Sequence, residues 1–128
     1  MKTKKILITG AAGFIGHHFL QHVIDKTSHE VVVIDCLNYA SKGLSRLRED
    51  GFLTHPRIKF ICSDLRLPFS DGVLREIGDD VNIIVHMAAE SHVDNSISNP
   101  RIFLESNVGG TLELLEYARS LKNLENFF

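Results

Sequence analysis

With two cysteines in 128 residues, the chain has no disulfide framework to staple it, and a reducing, cytoplasmic compartment is expected. An excess of basic charge is also missing. Fourteen lysines and arginines against 16 acids leave a formal net charge of −2, which gives no field for a nucleic acid and no polybasic patch for a membrane. No apolar run nears the length of a membrane span. Lys2, Lys4 and Lys5 lead into a short strand, not into the apolar stretch of a secretory leader. Internal repeats and low-complexity linkers are also missing. What is there is ordinary for a globular domain: 44% hydrophobic and 23% charged residues, in a length that makes one domain with a proper core.

The chain is organised around Ile6-Leu7-Ile8-Thr9-Gly10-Ala11-Ala12-Gly13-Phe14-Ile15-Gly16, which reads as a buried strand, a glycine turn and the start of a helix. Gly10 allows a sharp turn off the strand, Gly13 a close backbone approach to a ligand, and Gly16 close packing of the helix on the strand. The unpaired N–H groups at the helix start then form a site for a phosphate or pyrophosphate. The spacing is G-x-x-G-x-x-G, so a plain glycine-rich hairpin or a set of helix-packing glycines is the competing reading. The context favours the phosphate site, because a strand precedes, an apolar helix follows over 14–26, and Asp35 stands 19 residues beyond Gly16.

Further strands are expected at 30–35, 57–62 and 81–87, with helices at 43–50, 70–78 and about 100–121, the last begun by Pro100 with Asn99 as its cap. Gly109-Gly110 inside it weakens the helix and implies close packing. A further strand begins at 125–128. Strand and helix alternate, which predicts an α/β fold with right-handed crossovers: a doubly wound parallel sheet, order 3-2-1-4, with helices on both faces. Ligands bind such sheets at the carboxyl ends of the strands, where Gly10, Asp35, Asp64 and Ala88 fall.

Asp35 can accept hydrogen bonds from both hydroxyls of an adenosine ribose and would repel a 2′-phosphate. Its sequence neighbours Cys36, Leu37 and Asn38 include no arginine, so NAD is expected over NADP, the alternative being a solvated strand-end acid. Asp64 can accept from an adenine amino group while Leu65 covers the ring; a turn-capping Asp64 is the competing reading. Ala88 and Ala89 leave room for a ribose or nicotinamide. Ser91, His92 and Asp94 are too close in sequence for a nucleophilic triad, and no nucleophile elbow surrounds Ser91. His18 and His22 stand at i, i+4 but lack a third ligand, so no metal site is expected. Cys36 and Cys62 are expected as reduced, packed thiols.

Together, Gly10-x-x-Gly13-Phe14-Ile15-Gly16 and Ala88-Ala89-Glu90-Ser91-His92-Val93-Asp94 resemble the extended short-chain dehydrogenase/reductase superfamily. Within its NAD-dependent epimerase/dehydratase branch, the chain is similar to the nucleotide-sugar 4,6-dehydratases, above all the dTDP-glucose 4,6-dehydratase family. Asp35-x-Leu37-x-Tyr39-Ala40, Ser106-Asn107-Val108-x-Gly110-Thr111 and Leu114-Leu115-Glu116 extend the likeness along all 128 residues. Departures are Ala11 and Ala12 before Gly13, Asn38 and Ser106 where threonine is usual, and Asn95 in place of arginine. The last leaves open whether the nucleotide is dTDP or UDP.

The resemblance implies a Rossmann-like fold and an NAD-dependent lyase. A held NAD takes hydride from C4 of a nucleotide-linked hexose, water is lost across C5 and C6, and the hydride returns to C6. It implies that Gly10, Gly13, Phe14, Ile15 and Gly16 hold the pyrophosphate. Asp35, Cys36, Leu37 and Asn38 would hold the adenosine ribose, and Asp64 and Leu65 the adenine. Met87, Ala88, Ala89, Ser91 and Ser106 would line the nicotinamide side, with Ser91 also reaching the sugar. An epimerase or decarboxylase of the same superfamily, or a non-catalytic dinucleotide-binding module, are the alternatives. Neither Tyr39 nor Tyr117 has a lysine four places on, so the family's Y-x-x-x-K and its Thr-Asp-Glu triplet are expected beyond Phe128. Residues 1–128 are then the cofactor-binding domain, inactive alone, with the substrate domain absent and strand five truncated. Such a chain is expected to self-associate through a bare edge of strand four or the face of helix 99–121.

Overall fold

The computed structural model describes residues 2–38 and 41–128; Tyr39 and Ala40, half of the D-x-L-x-Y-A run, lie outside the described residues. In chain order the elements are β1 (Lys5–Thr9), α1 (Phe14–Lys26), β2 (Glu30–Asp35), α2 (Ser45–Glu49), a 3-10 turn (Phe52–Thr54), β3 (Ile58–Cys62), α3 (Asp71–Ile77) and β4 (Ile83–His86). Then follow α4 (Val93–Ser98), α5 (Pro100–Phe103), a π-helical segment (Leu104–Gly109), α6 (Gly110–Ser120) and β5 (Asn126–Phe127). The five strands form one sheet in the order β3-β2-β1-β4-β5, parallel throughout, which is the expected order with a short fifth strand added.

The apolar runs of β1 and β2 are continuous because both strands are buried on both faces. Alternate residues serve opposite cores. Ile6, Ile8, Val31 and Val33 pack with Leu20, Val23 and Ile24 of α1 and with Leu47 and Phe52. Leu7, Val32 and Ile34 face the other way, onto Ile77 of α3 and Leu114 and Ala118 of α6. Tyr117 also turns into this second core, edge-on to Phe69 with ring centroids 5.2 Å apart. Its buried hydroxyl has no hydrogen-bond partner among the described residues. Burial, aided by Asp80 and Asp79, pushes that phenol up to about 12.

The sequence expectation of a bare edge on strand four is corrected. Ile83 and Ile84 pair with Asn126 and Phe127, and the His86 amide donates to the Phe128 carbonyl at 2.8 Å. The few residues after α6 suffice to cover that edge. The single helix expected from Asn99 to Leu121 is also corrected. It is interrupted by the π-helical turn over 104–109, and Asn99 occupies the cap position without a side-chain cap bond. Thr111 Oγ1 donates to the Asn107 carbonyl at 2.6 Å, the kind of side-chain bond that disturbs a helical ladder. Gly110 then lets the helix close on Leu65, whose Cβ would lie 3.4 Å from a Cβ at that position. Residues 93–98, for which no element was expected, form the helical turn α4. Cys36 and Cys62 are free as expected, but exposed where packed thiols were expected.

Two glycines give a paired test. A Cβ on Gly16 would meet the Gly10 carbonyl oxygen at 2.1 Å, whereas one on Gly109 meets nothing closer than 3.9 Å. Gly16→Ala should lower stability by about 3 kcal/mol or more through overpacking. Gly109→Ala should raise it by about 0.5–1 kcal/mol through a less costly unfolded-state entropy. Urea unfolding of the two variants beside the parent chain checks both signs.

Candidate functional site

The carboxyl ends of β1 to β4 converge on one cavity of about 360 Å³, within the range of small-molecule sites. Its floor is the glycine turn. Gly10 takes φ +76°, and its amide donates to the Ile34 carbonyl at 2.9 Å. A side chain there is excluded twice, by that conformation and by the Ala88 backbone nitrogen, 2.6 Å from where a Cβ would stand. The Gly13 amide donates to the Gly10 carbonyl at 3.1 Å and closes the turn. Gly13 caps α1 without any side-chain bond, and the first turn holds no acid. The 13-residue helix therefore brings the partial positive charge of its N-terminus to the cavity with no acid in its own first turn. Phe14 and Ile15 line the cavity although 67% and 69% exposed.

On the β2 side, Asp35 is buried and partnered by backbone. Its Oδ2 accepts from the Ala12 amide at 3.1 Å and its Oδ1 from the Leu37 amide at 2.8 Å. Each oxygen keeps a lone pair for a further donor, so the carboxylate both fastens the glycine turn and can serve a hydroxyl in the cavity. Cys36 lines the same wall; although the residue reaches the surface, partial desolvation of its thiol, then the Asp35 charge, pushes its pKa up. Leu37 adopts φ +56°, and its side chain packs against the α1-side core. Of the residues named from sequence for the cofactor, it is the one that does not line the cavity.

At the end of β3, Asp64 and Leu65 line the cavity, joined by Arg66. The Arg66 guanidinium forks onto Asp64, with Nε 3.0 Å from each carboxylate oxygen and Nη2 2.5 Å from Oδ2. These bonds hold the Asp64 carboxyl below its ordinary pKa. The competing turn reading of Asp64 also has substance, since its Oδ1 accepts from the Arg66 amide at 3.0 Å.

At the end of β4, buried Thr9 organises a polar chain. Its Oγ1 accepts from the amides of Met87 and Ala88, both at 3.2 Å, which leaves its own proton for Nδ1 of His86 at 2.7 Å. The Nε2–H of His86 donates to Thr111 Oγ1 at 3.0 Å, whose proton goes to the Asn107 carbonyl. Those directions assign the neutral Nε2–H tautomer. The Asn107 side chain accepts from the Glu90 amide at 2.7 Å and donates to the Glu90 carbonyl at 2.8 Å. The loop after β4 is thus tied to the helical segment that carries Ser106. Met87, Ala88, Ala89, Ser91 and Ser106 all line the cavity.

Sequence reasoning did not name Ile34, Ser41, Ser63 or Arg66 as site residues, yet all four line the cavity, as does Glu90 within the Met87–Ser91 stretch. Ser63 and Arg66 flank Asp64 and could have been taken with it; Ser41, across a loop, had no local signal. Ser91 and His92 do not form a triad with Asp94. His92 instead caps α4, with Nδ1 accepting from the Asn95 amide at 3.4 Å. Among the described residues no group of three His, Cys, Asp or Glu side chains is arranged to hold a metal ion. No helix formed by those residues is long and apolar enough to cross a membrane.

A family model described as GDP-mannose 4,6 dehydratase matches residues 7–128. The chain belongs to this family. Members of the dehydratase family and their relatives match it at substantial identity. The low-salt glycan biosynthesis protein Agl12 of Haloferax volcanii is 40% identical over 113 residues, 88% of this chain and 34% of that protein. A dTDP-glucose 4,6-dehydratase of Escherichia coli is 42% identical over 117 residues, 91% of this chain and 31% of that protein. The crystal structure of DesIV, a dTDP-glucose 4,6-dehydratase from Streptomyces venezuelae solved with NAD bound, superposes with a TM-score of 0.74 at 42% identity. That match covers 89% of this chain and 35% of the other. The chain spans about a third of the length of the curated relatives it matches. Both the resemblance drawn from the two motifs and the Rossmann-like α/β fold are borne out.

The Thr9–His86–Thr111 chain generates a pH prediction. Burial holds the His86 imidazole below its ordinary pKa, so the unfolded chain binds its proton more readily than the folded one. Stability should therefore fall as pH drops from the ordinary imidazole value of about 6.5 through the folded pKa, and be fully present above it. Thr9→Val removes the hydroxyl that partners His86 and two amides and should cost about 1–3 kcal/mol at pH 7.5. Urea titrations at a series of pH values, with NMR of the His86 ring, check both.

Proposed function

We propose that residues 1–128 form the NAD-binding domain of a nucleotide-sugar 4,6-dehydratase, a lyase that converts a dTDP- or UDP-linked hexose to its 4-keto-6-deoxy form. The observation that carries this reading is the junction of three features in one cavity: the α1 terminus that no side chain caps, the buried Asp35 carboxylate and the small-residue wall at Ala88 and Ala89. The diphosphate of a dinucleotide suits the amides at Phe14, Ile15 and Gly16, which no side chain caps and no acid of the first turn engages, while Gly10 and Gly13 allow it a close backbone approach. Asp35 is the acceptor for the adenosine ribose, and Cys36, Leu37 and Asn38 shape that end. Asp64 and Leu65 serve adenine, and Arg66 holds Asp64 ionised as an acceptor.

Bound NAD supplies a hydride acceptor and donor. The work of this chain is to hold it. Thr9 and Asn107 fix the loop after β4, so that Met87, Ala88, Ala89 and Ser91 meet the nicotinamide end with Ser106, and Ser91 faces the sugar. Neither tyrosine has a lysine four places on, so these 128 residues supply no Y-x-x-x-K base, and the chain alone is read as inactive. Tyr117, locked in the second core with its phenol at about 12, is no candidate for a base. The two free thiols favour a reducing, cytoplasmic setting. With β4 covered, self-association is assigned to the helical face, where Leu104, Val108, Leu112 and Leu115 stand at helical spacing and 43–63% exposed.

Thermal-shift titration tests the cofactor reading. NAD at about a hundredfold excess over Kd should stabilise the fold by about 2.7 kcal/mol, and NADP by much less because Asp35 repels its 2′-phosphate. Equal shifts would remove the Asp35 reading, and no shift with either would remove NAD binding by this chain. Sedimentation velocity tests self-association. A coefficient that rises with concentration, and stops rising in Leu112→Lys, is the expected result.

A further inference from the structure

The cavity is crossed by one side-chain link whose two ends come from opposite sides of the glycine turn. Asn38 Nδ2 donates to Glu90 Oε1 at 2.5 Å, between residues 52 positions apart. Asn38 follows β2 and Glu90 follows β4, and these strands flank β1 on either side. With neighbouring strands about 4.8 Å apart, the link spans roughly 10 Å over the end of β1, where Gly10 begins its turn. Both residues line the cavity.

Each end of the link is fixed from beneath. The backbone of Glu90 is gripped on both its amide and its carbonyl by Asn107. Asn38 follows Leu37, whose left-handed backbone is held by the Asp35 carboxylate and whose side chain is packed in the core. A left-handed, non-glycine residue is costly and persists only where its surroundings enforce it. The supports are therefore rigid, while the Asn38 and Glu90 side chains can part by rotation about their own bonds.

Resting on the dinucleotide reading above, we propose that Asn38 and Glu90 form a clasp over the glycine turn that closes on a bound dinucleotide and slows its release. The clasp makes a prediction of unusual sign. Glu90 is an acid facing a site for an anion, so charge alone would make its removal slow release. A clasp makes its removal speed release.

NADH, whose nicotinamide fluoresces, is the probe, displaced from the 128-residue chain by excess NAD in a stopped-flow instrument. Glu90→Ala and Asn38→Ala should each raise the dissociation rate roughly tenfold, the scale of one charge-assisted hydrogen bond. The double variant should release no faster than either single one, because both break the same link. Glu90→Gln keeps an acceptor for Asn38 and should stay near the parent rate. Multiplicative single effects, or slower release from Glu90→Ala, would overturn the clasp while leaving NAD binding intact. Failure of the parent chain to bind NADH at all would overturn the dinucleotide reading, and the clasp with it.

Discussion

The packing of the Gly10 backbone on that of Ala88 constrains everything above the sheet. β1 and β4 run side by side, with Thr9 opposite His86, and both chains leave the sheet at the same level. A Cβ on Gly10 would lie 2.6–2.8 Å from backbone atoms of Met87 and Ala88, none of which can yield without unpairing the strands. Only glycine permits the contact, and glycine also permits the positive φ that turns the chain back into α1. Because the two backbones touch, the loop after β4 starts directly over the turn. That proximity lets Glu90 reach Asn38 and puts Ala88 and Ala89 in the wall of the same cavity as the α1 terminus.

Thr9 converts this contact into a rigid one. It is fully buried, and its hydroxyl serves the two amides that follow β4 as well as His86. A buried polar chain is stabilising only when its members are satisfied, and here each group from Thr9 through His86 and Thr111 to Asn107 has a partner. The consequence reaches beyond stability. Asn107 lies in the π-helical segment, and the wider turn there brings its side chain to Glu90 while Ser106, one residue earlier, faces the cavity. The irregularity in the helix and the shape of the site are one arrangement, consistent with the tendency of π-turns to occur at functional positions.

The sheet was legible in the sequence because parallel strands buried on both faces leave continuous apolar runs, as at 6–8 and 31–34. The glycine spacing with Asp35 19 residues later located the turn and the carboxylate that fastens it. What was not legible depends on tertiary contact. The π-helical segment answers to Glu90, 17 residues away, as well as to the local Thr111–Asn107 bond, and the long-range part has no local pattern. Leu37 stands in a run of polar and strand-end residues, and its inward turn is set by the Asp35 carboxylate and by space in the core. A strand starting at 125–128 was legible, but that two of its residues already pair with β4 is a tertiary fact.

The electrostatics of the cavity follow from how its acids are engaged. Asp35, Asp64 and Glu90 all line it, and among the described lining residues Arg66 is the one cation. Three unshielded carboxylates would repel any anion drawn to the α1 terminus. Each is instead committed: Asp35 to two backbone amides, Asp64 to the Arg66 fork, Glu90 to Asn38. Their remaining lone pairs can accept from neutral donors such as hydroxyl and amino groups. The amides of Phe14, Ile15 and Gly16 at the start of α1, which no side chain caps, are then left for the charged part of a ligand. A cavity built this way offers uncapped amides over the turn and carboxylate acceptors toward the ends of β2 and β3. That arrangement depends on backbone geometry at Gly10 and Gly13 more than on any single side chain.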